Sequence, residues 1–385
     1  MNFDFSEDQK LLQKTAKDYL EEHSPLTVCR EVLESDAPYA RDLWKGAAQL
    51  GWLGTAIPEE YGGAGFGYLE LAVIAEEIGR ALAPIPFASS VYLASEALLR
   101  FGSDTQKQKY LPELASGEWI GTFAVAERPG QNGAEGIETS FAGGVLSGTK
   151  VPVLDGDVAN FAVVVARSGH GSGLSLVLTD LDGDGVEREA IKSIDPSRST
   201  ARVVFSKAPA ELLGEDGPGD GAGQTDALLD RAAVLMAFEQ LGGAARAFES
   251  TLEFTQGRYA FGRPIASFQA IKHRLADLWC EIELARSNCY YGAWALSNED
   301  SELGIAACNS RISSSHAFDL AGVEMIQLYG GVGYTWEYDC HLFYRRAKLL
   351  SVALGNPASW KDKLITRLLE SRAAAASAEA RNTDD

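Results

Sequence analysis

The 385-residue sequence is short of several things, and each shortage excludes a class of protein. No apolar run reaches the roughly 18 residues that a membrane-crossing helix needs, so no membrane partner is expected. Basic residues are outnumbered, 34 Lys+Arg against 54 Asp+Glu, for a formal net charge of −20. That balance argues against non-specific nucleic-acid binding, which needs a basic patch to displace counterions. Cysteines number five, Cys29, Cys280, Cys289, Cys308 and Cys340, an odd count with no CxxC pair. Buried free thiols in a reducing, cytoplasmic setting are the expectation. The five histidines, His23, His170, His273, His316 and His341, show no metal-ligand spacing, so no metal is expected. The opening MNFDFSEDQK is acidic and has no apolar segment of signal-peptide type.

What remains is an ordinary globular composition, 46% hydrophobic and 23% charged, in a chain long enough for two or three domains. The first third reads as helix. Ser6 followed by Glu7, Asp8 and Gln9 is a helix start, with Leu11, Leu12, Ala16 and Leu20 at helical spacing. A second helix is expected from Tyr68 to about Leu82, stopped by Pro84 and Pro86. Shorter helices are expected around Ala94–Phe101 and Thr105–Leu114.

The texture changes near residue 119. Runs such as Phe161–Ala166, Leu174–Leu178 and Ala201–Phe205 read as strands, separated by Gly, Asp and Ser turns. Gly214–Gly221 reads as a flexible linker. Long helical patterns follow: Asp226–Gly257, Ser267–Ser297, Glu302–Leu328 and Trp360 to about Ala378, with fraying expected at the Asn382–Asp385 end. The predicted fold class is α+β. It comprises an all-α N-terminal domain (1–118), a middle antiparallel β-domain (119–222) and a C-terminal antiparallel four-helix bundle (223–385).

Three motifs in order carry a resemblance. They are Ile57-Pro58-Glu59-Glu60-Tyr61-Gly62-Gly63, then Arg258-Tyr259-Ala260-Phe261-Gly262-Arg263-Pro264-Ile265 with Phe268-Gln269, then Gln327-Leu328-Tyr329-Gly330-Gly331-Val332-Gly333-Tyr334. They resemble the IPEEYGG, RxxFGxxI…FQ and QxxGGxGY signatures of the acyl-CoA dehydrogenase family, and the resemblance covers essentially the whole chain. It implies FAD as cofactor and an acyl-CoA thioester as substrate. It also implies an electron-transfer flavoprotein or similar acceptor, and a tetramer built as a dimer of dimers. Carried over by motif, Arg258, Phe261, Gln269, Gln327, Gly330 and Gly331 would reach the flavin's pyrophosphate and adenine side across a subunit interface. The residue types suit that task. Arginine matches phosphate oxygens with a planar fork of donors, and glycine lets a backbone approach closely.

The sequence departs from the family where the chemistry should be. The reaction takes a proton from Cα and a hydride from Cβ of the thioester, and the proton needs a carboxylate base. Leu354 occupies the usual glutamate position, and Asn356 stands where a flavin-contacting Thr is usual. The alternative base position on the preceding helix aligns with about Ala232; Asp230 and Glu239 are the nearest acids. In the β-domain Ala126 replaces a flavin-contacting Thr, although backbone groups of Phe123 to Ala126 could still meet the ring. Gly148-Thr149-Lys150 and Ala159-Asn160-Phe161 still resemble the family's GxK and AD strands. No catalytic residue is therefore assigned. These losses fit the non-catalytic chain of a heteromeric α2β2 acyl-CoA dehydrogenase, working beside a glutamate-bearing partner; such pairs often act on bulky acyl groups such as steroid side chains. A homotetrameric enzyme with a displaced base and a non-redox binding homologue are the alternatives.

Overall fold

A computed structural model describes residues 6–131, 133–168, 173–214 and 220–383. Of the features expected above, His170, residues 215–219 of the linker and Asp384-Asp385 lie outside the described residues, as does Asn132.

The chain opens with six helices: α1 (Glu7–His23), α2 (Leu26–Glu34), α3 (Arg41–Gln49), α4 (Tyr68–Arg80), α5 (Glu96–Phe101) and α6 (Asp104–Ser116). Local chemistry sets their ends. Ser6 and Gln9 form a reciprocal capping box at the start of α1, the Gln9 N–H donating to Ser6 Oγ at 3.2 Å. Ser103 and Gln106 repeat the device at α6, which stops at Gly117 with φ 74°. The segment before α5 differs from expectation. The chain is already helical from Ala88, in a widened π-helical stretch to Ser95, where the Ser95 hydroxyl donates back to the Ser90 carbonyl.

Seven strands follow: β1 (Gly121–Ala124), β2 (Ser140–Ala142), β3 (Val145–Leu154), β4 (Phe161–Ser168), β5 (Leu174–Asp180), β6 (Val186–Ala190) and β7 (Thr200–Leu212). Pairing runs β2–β3–β7–β5–β4 and returns from β4 to β2, so these five close into a small barrel; β1 and β6 flank β4 and β7. The sheet is antiparallel except that β4 runs parallel to both β1 and β2, a mixed topology that the alternation of residues does not reveal. Nearly all of β4 is buried, which explains its continuous apolar run.

The last part contains α7 (Gly221–Gly257), α8 (Gln269–Ser297), α9 (Leu303–Tyr329), α10 (Cys340–Val352) and α11 (Pro357–Thr383), with a short ribbon of β8 (Tyr259–Ala260) and β9 (Arg263–Pro264) between α7 and α8. Helix α7 starts five residues before the expected Asp226 because Asp220 caps it, accepting the Gly223 N–H at 3.0 Å. Helix α10 is an addition to the four expected helices. Among the cysteines, Cys280 is exposed rather than buried, because its side of α8 faces outward; the other four are buried, and all five are free. Among the described residues no helix is long and apolar enough to cross a membrane.

The helical parts are joined by a close crossing of α4 on α7. A Cβ on Gly79 would lie 1.8 Å from the Glu239 carbonyl oxygen, and one on Gly242 would lie 1.8 Å from that of Glu76. Only glycine at both positions lets the two backbones approach so closely. Gly242→Ala should therefore cost about 3 kcal/mol or more through overpacking, seen as a lowered Tm. Gly257→Ala, whose Cβ would meet nothing within 4 Å, should leave the melt unchanged. Equal melting of the two variants would show that the crossing does not set the packing.

Candidate active site

The expected site residues fall in two places. The first is a cavity of about 350 Å³ walled by Leu93, Phe123, Ala126, Leu229 and Leu354. Lys150 positions its β-domain wall. Its ammonium is fully buried and donates to the Val125 carbonyl and to Glu127, both at 2.9 Å. Glu127 in turn accepts the N–H groups of Glu138 and Thr139, so it ties the chain after β1 to the start of β2. These charge-assisted bonds hold the Glu127 carboxyl down at about 2, while burial lowers the Lys150 ammonium to about 8. Asn160 adds a third tie, accepting the Ile120 N–H at 2.8 Å. The GxK and AD-type positions thus shape the wall rather than meet a ligand.

The opposite wall is the loop after α10. Trp360 Nε1 donates to the Leu354 carbonyl at 3.1 Å, and Asn356 Oδ1 accepts the Ser359 N–H at 2.9 Å, capping α11. Asn356 is therefore engaged by its own helix. A second cavity of about 560 Å³ shares Gly133, Leu229, Leu354 and Gly355 with the first and is bordered by Glu135, Asp226, Lys363, Arg367 and Glu370.

No described residue lining the first cavity carries a carboxylate, and Arg128 is its one ionisable group. Leu354 is 7% exposed and lines both cavities. Ala232 is buried and off the cavity wall; Leu229, one turn earlier, is what α7 presents. Asp230 is held by Arg367 at 2.7 and 2.9 Å. Glu239, the other acid near Ala232 in sequence, is fully buried at the junction of the three parts. It accepts from Arg198 at 3.0 Å, with Arg346 at 3.9 Å. Arg346 also pairs with Asp195 at 2.6 Å, and Arg198 donates to the carbonyls of Ala83 and Ile85. Two arginines across a domain junction make Glu239 a structural counter-ion. The members of this cluster lie far apart in the chain, so no local sequence pattern reveals it.

The second place is one end of the bundle. Phe254 stacks on Tyr329 at 3.9 Å, which brings the ends of α7 and α9 together. Arg258 follows α7, Gln269 opens α8, Gln327 lies in the last turn of α9, and Gly330 and Gly331 follow it. All five are exposed. A Cβ on either glycine would meet nothing within 4 Å, so the backbone there is open to an approaching group. Phe261 and Gly262 form the tip of the β8–β9 hairpin, with φ 53° and 78°. A phenylalanine in that region costs about 1–2 kcal/mol. Yet its ring is 95% exposed. The six motif residues are thus brought together, and Ala126 is not among them. Leu229 and Arg258 are 29 residues apart on one continuous helix, about 44 Å by helical rise.

Helical, barrel and bundle parts follow one another in this order, with a cavity where they meet. Residues 6–118 match the acyl-CoA dehydrogenase N-terminal domain and residues 219–369 the C-terminal domain. The chain belongs to the acyl-CoA dehydrogenase family, whose members are FAD-binding oxidoreductases. It is 32% identical to acyl-CoA dehydrogenase IpdE2 of Mycolicibacterium smegmatis, across 91% of this chain and 96% of that protein. It is 30% identical to the rat mitochondrial short-chain specific enzyme, across 95% and 91%. Among solved structures, it matches a variant of the Tcur3481-Tcur3483 steroid ACAD at 29% identity and TM-score 0.86, covering 95% of this chain and 99% of that one. The ChsE4-ChsE5 complex of Mycobacterium tuberculosis matches at 27% and 0.85, covering 96% and 99%. A chain from work on the electron transferring flavoprotein of Acidaminococcus fermentans matches at 26% and 0.89, covering 96% and 100%.

If Glu239 is a structural counter-ion, Glu239→Gln should destabilise the fold by about 3 kcal/mol, because it leaves buried arginine charge uncompensated. A variant that melts like the parent but loses all turnover would instead make Glu239 the base.

Proposed function

We propose that this chain is a subunit of a FAD-dependent acyl-CoA dehydrogenase that works beside a glutamate-bearing partner chain. The observation that carries this reading is the cavity at Ala126, Leu229 and Leu354, which has no carboxylate among its described lining residues. Removal of an α-proton from a thioester needs a base within hydrogen-bond reach. Neither Asp230 nor Glu239 offers one, since each is already ion-paired.

The donor set at the far end of the bundle fits FAD. Arg258 supplies a cationic fork for a pyrophosphate, Gln269 and Gln327 supply amides, and the backbone at Gly330-Gly331 is open. FAD, when bound, would supply the hydride-accepting ring. Arg258, Gln269 and Gln327 would orient its phosphates, and Phe261 would cover apolar surface. The 44 Å between this end and the chain's own cavity is too far for one dinucleotide to bridge. The donor end therefore serves a site on a neighbouring chain, which requires an oligomer; a dimer of dimers satisfies it. The similar chains solved as the ChsE4-ChsE5 complex and the Tcur3481-Tcur3483 pair support an unequal partner, and with it a bulky, steroid-type acyl group. An electron-transfer flavoprotein is the proposed acceptor.

Expressed alone, the chain should carry far less than one flavin, read from its absorbance. Co-expressed with its partner, the complex should bind flavin, and Arg258→Ala should lower that content. Full flavin occupancy of the isolated chain would overturn the two-chain reading. Leu354→Glu in the isolated chain should not create turnover, because Ala126 and the engaged Asn356 remain. Near-complete dehydrogenase activity from that single change would show that only the base was missing.

A further inference from the structure

We propose that the N-terminal helices form a second binding site, separate from the cavity at Leu354, that takes a compact organic monoanion: a carboxylate on a short apolar body. The site is a cavity of about 360 Å³ between the α1–α2 corner, the end of α4, and α7. It shares no wall residue with the two cavities described above.

Three unsatisfied donors meet there. Helix α2 has nine residues and begins after Pro25, which offers no side-chain cap. Among the described residues the N–H groups of Leu26 and Thr27 have no protein acceptor; that of Val28 is taken by the Pro25 carbonyl at 2.8 Å. The first turn of a helix presents such free N–H groups together with the positive end of its dipole. The second, independent sign is Ser24. It is 2% exposed, lines the cavity, and its hydroxyl has no partner. A buried hydroxyl without a partner is unfavourable unless a ligand or water completes it.

The charges lining the cavity decide the ligand. Three acids face it, and two are taken. Asp339 is held by Arg30 at 2.6 Å. Glu77 accepts from Gln13 at 3.1 Å and lies 3.6 Å from Arg80. Arg80 is itself held by Glu249 at 2.5 Å. Lys17 and Arg246 are freer, since their ion pairs, with Glu21 and Glu249, are both at 3.9 Å. Three cations against three acids leave no excess positive charge for a polyphosphate such as a nucleotide or CoA, and the loosely paired Lys17 and Arg246 can answer a single negative charge. Leu20, Leu26 and Ala81 supply apolar wall for a short carbon body.

The test is calorimetric titration of the purified full-length chain with hexanoate, with hexanol and with inorganic phosphate. Hexanoate should bind saturably at one per chain, and hexanol should bind more weakly. Ser24→Ala and Arg246→Gln should each weaken hexanoate about tenfold, the loss of one hydrogen bond to a charged group. Arg246 is 45% exposed outside the core, so its variant decides the matter even if Ser24→Ala folds poorly. No saturable hexanoate binding, equal binding of hexanol, or indifference of hexanoate to Arg246→Gln would overturn the proposal. Saturable phosphate binding without hexanoate binding would overturn the carboxylate assignment.

Discussion

The arrangement of this molecule rests on a buried set of charges where its three parts meet. Arg198 comes from the β-domain, Glu239 from α7, and Arg346 from α10, with Asp195 answering Arg346. The two arginines also donate to the carbonyls of Leu82, Ala83 and Ile85, in the segment just after α4. Breaking any one of these contacts would leave a desolvated charge, which is far costlier than the contact is worth when made. The parts are thereby locked in one geometry. The glycine-mediated crossing of α4 on α7 lies beside the cluster, for Gly79 faces the backbone of Glu239 itself.

That geometry explains the division of the site. Helix α7 is continuous over 37 residues, so it acts as a rigid spacer. Near its start it places Leu229 against the cavity, and after its end it exposes Arg258 to solvent. A polar end and an apolar cavity set so far apart in one chain fit the proposed division between two complete sites. The strained and largely exposed Phe261 fits the same view, because an aromatic held out at the tip of a hairpin, meeting Phe268 edge-on, gains little without a covering surface.

Much of this was legible in the sequence. The caps at Ser6 and Ser103, the apolar run of β4 and the long bundle helices follow from local spacing. The grouping of Arg258, Phe261, Gln269, Gln327, Gly330 and Gly331 follows from motifs at three helix ends. Other features were not legible. The parallel pairing of β4 with β1 and β2 leaves no trace in residue alternation, since a strand buried on both faces reads the same in either direction. Helix α10 is short, and only about half of its residues are buried, so it leaves no long apolar repeat in the sequence. Leu229 could not be separated from Ala232 as the residue facing the cavity, because a run of apolar residues on α7 gives no register.

The sequence by itself determined most of the elements, the family and the missing carboxylate at Leu354, because these depend on residue type and on spacing along the chain. Tertiary structure alone decided what Glu239 and Asp230 are. A carboxylate's role is set by the charges that reach it, and Arg198, Arg346 and Arg367 arrive from positions 41 or more residues away in sequence. It also decided that Ser24 and the start of α2 open on a cavity, since burial without a partner is a property of packing and not of sequence.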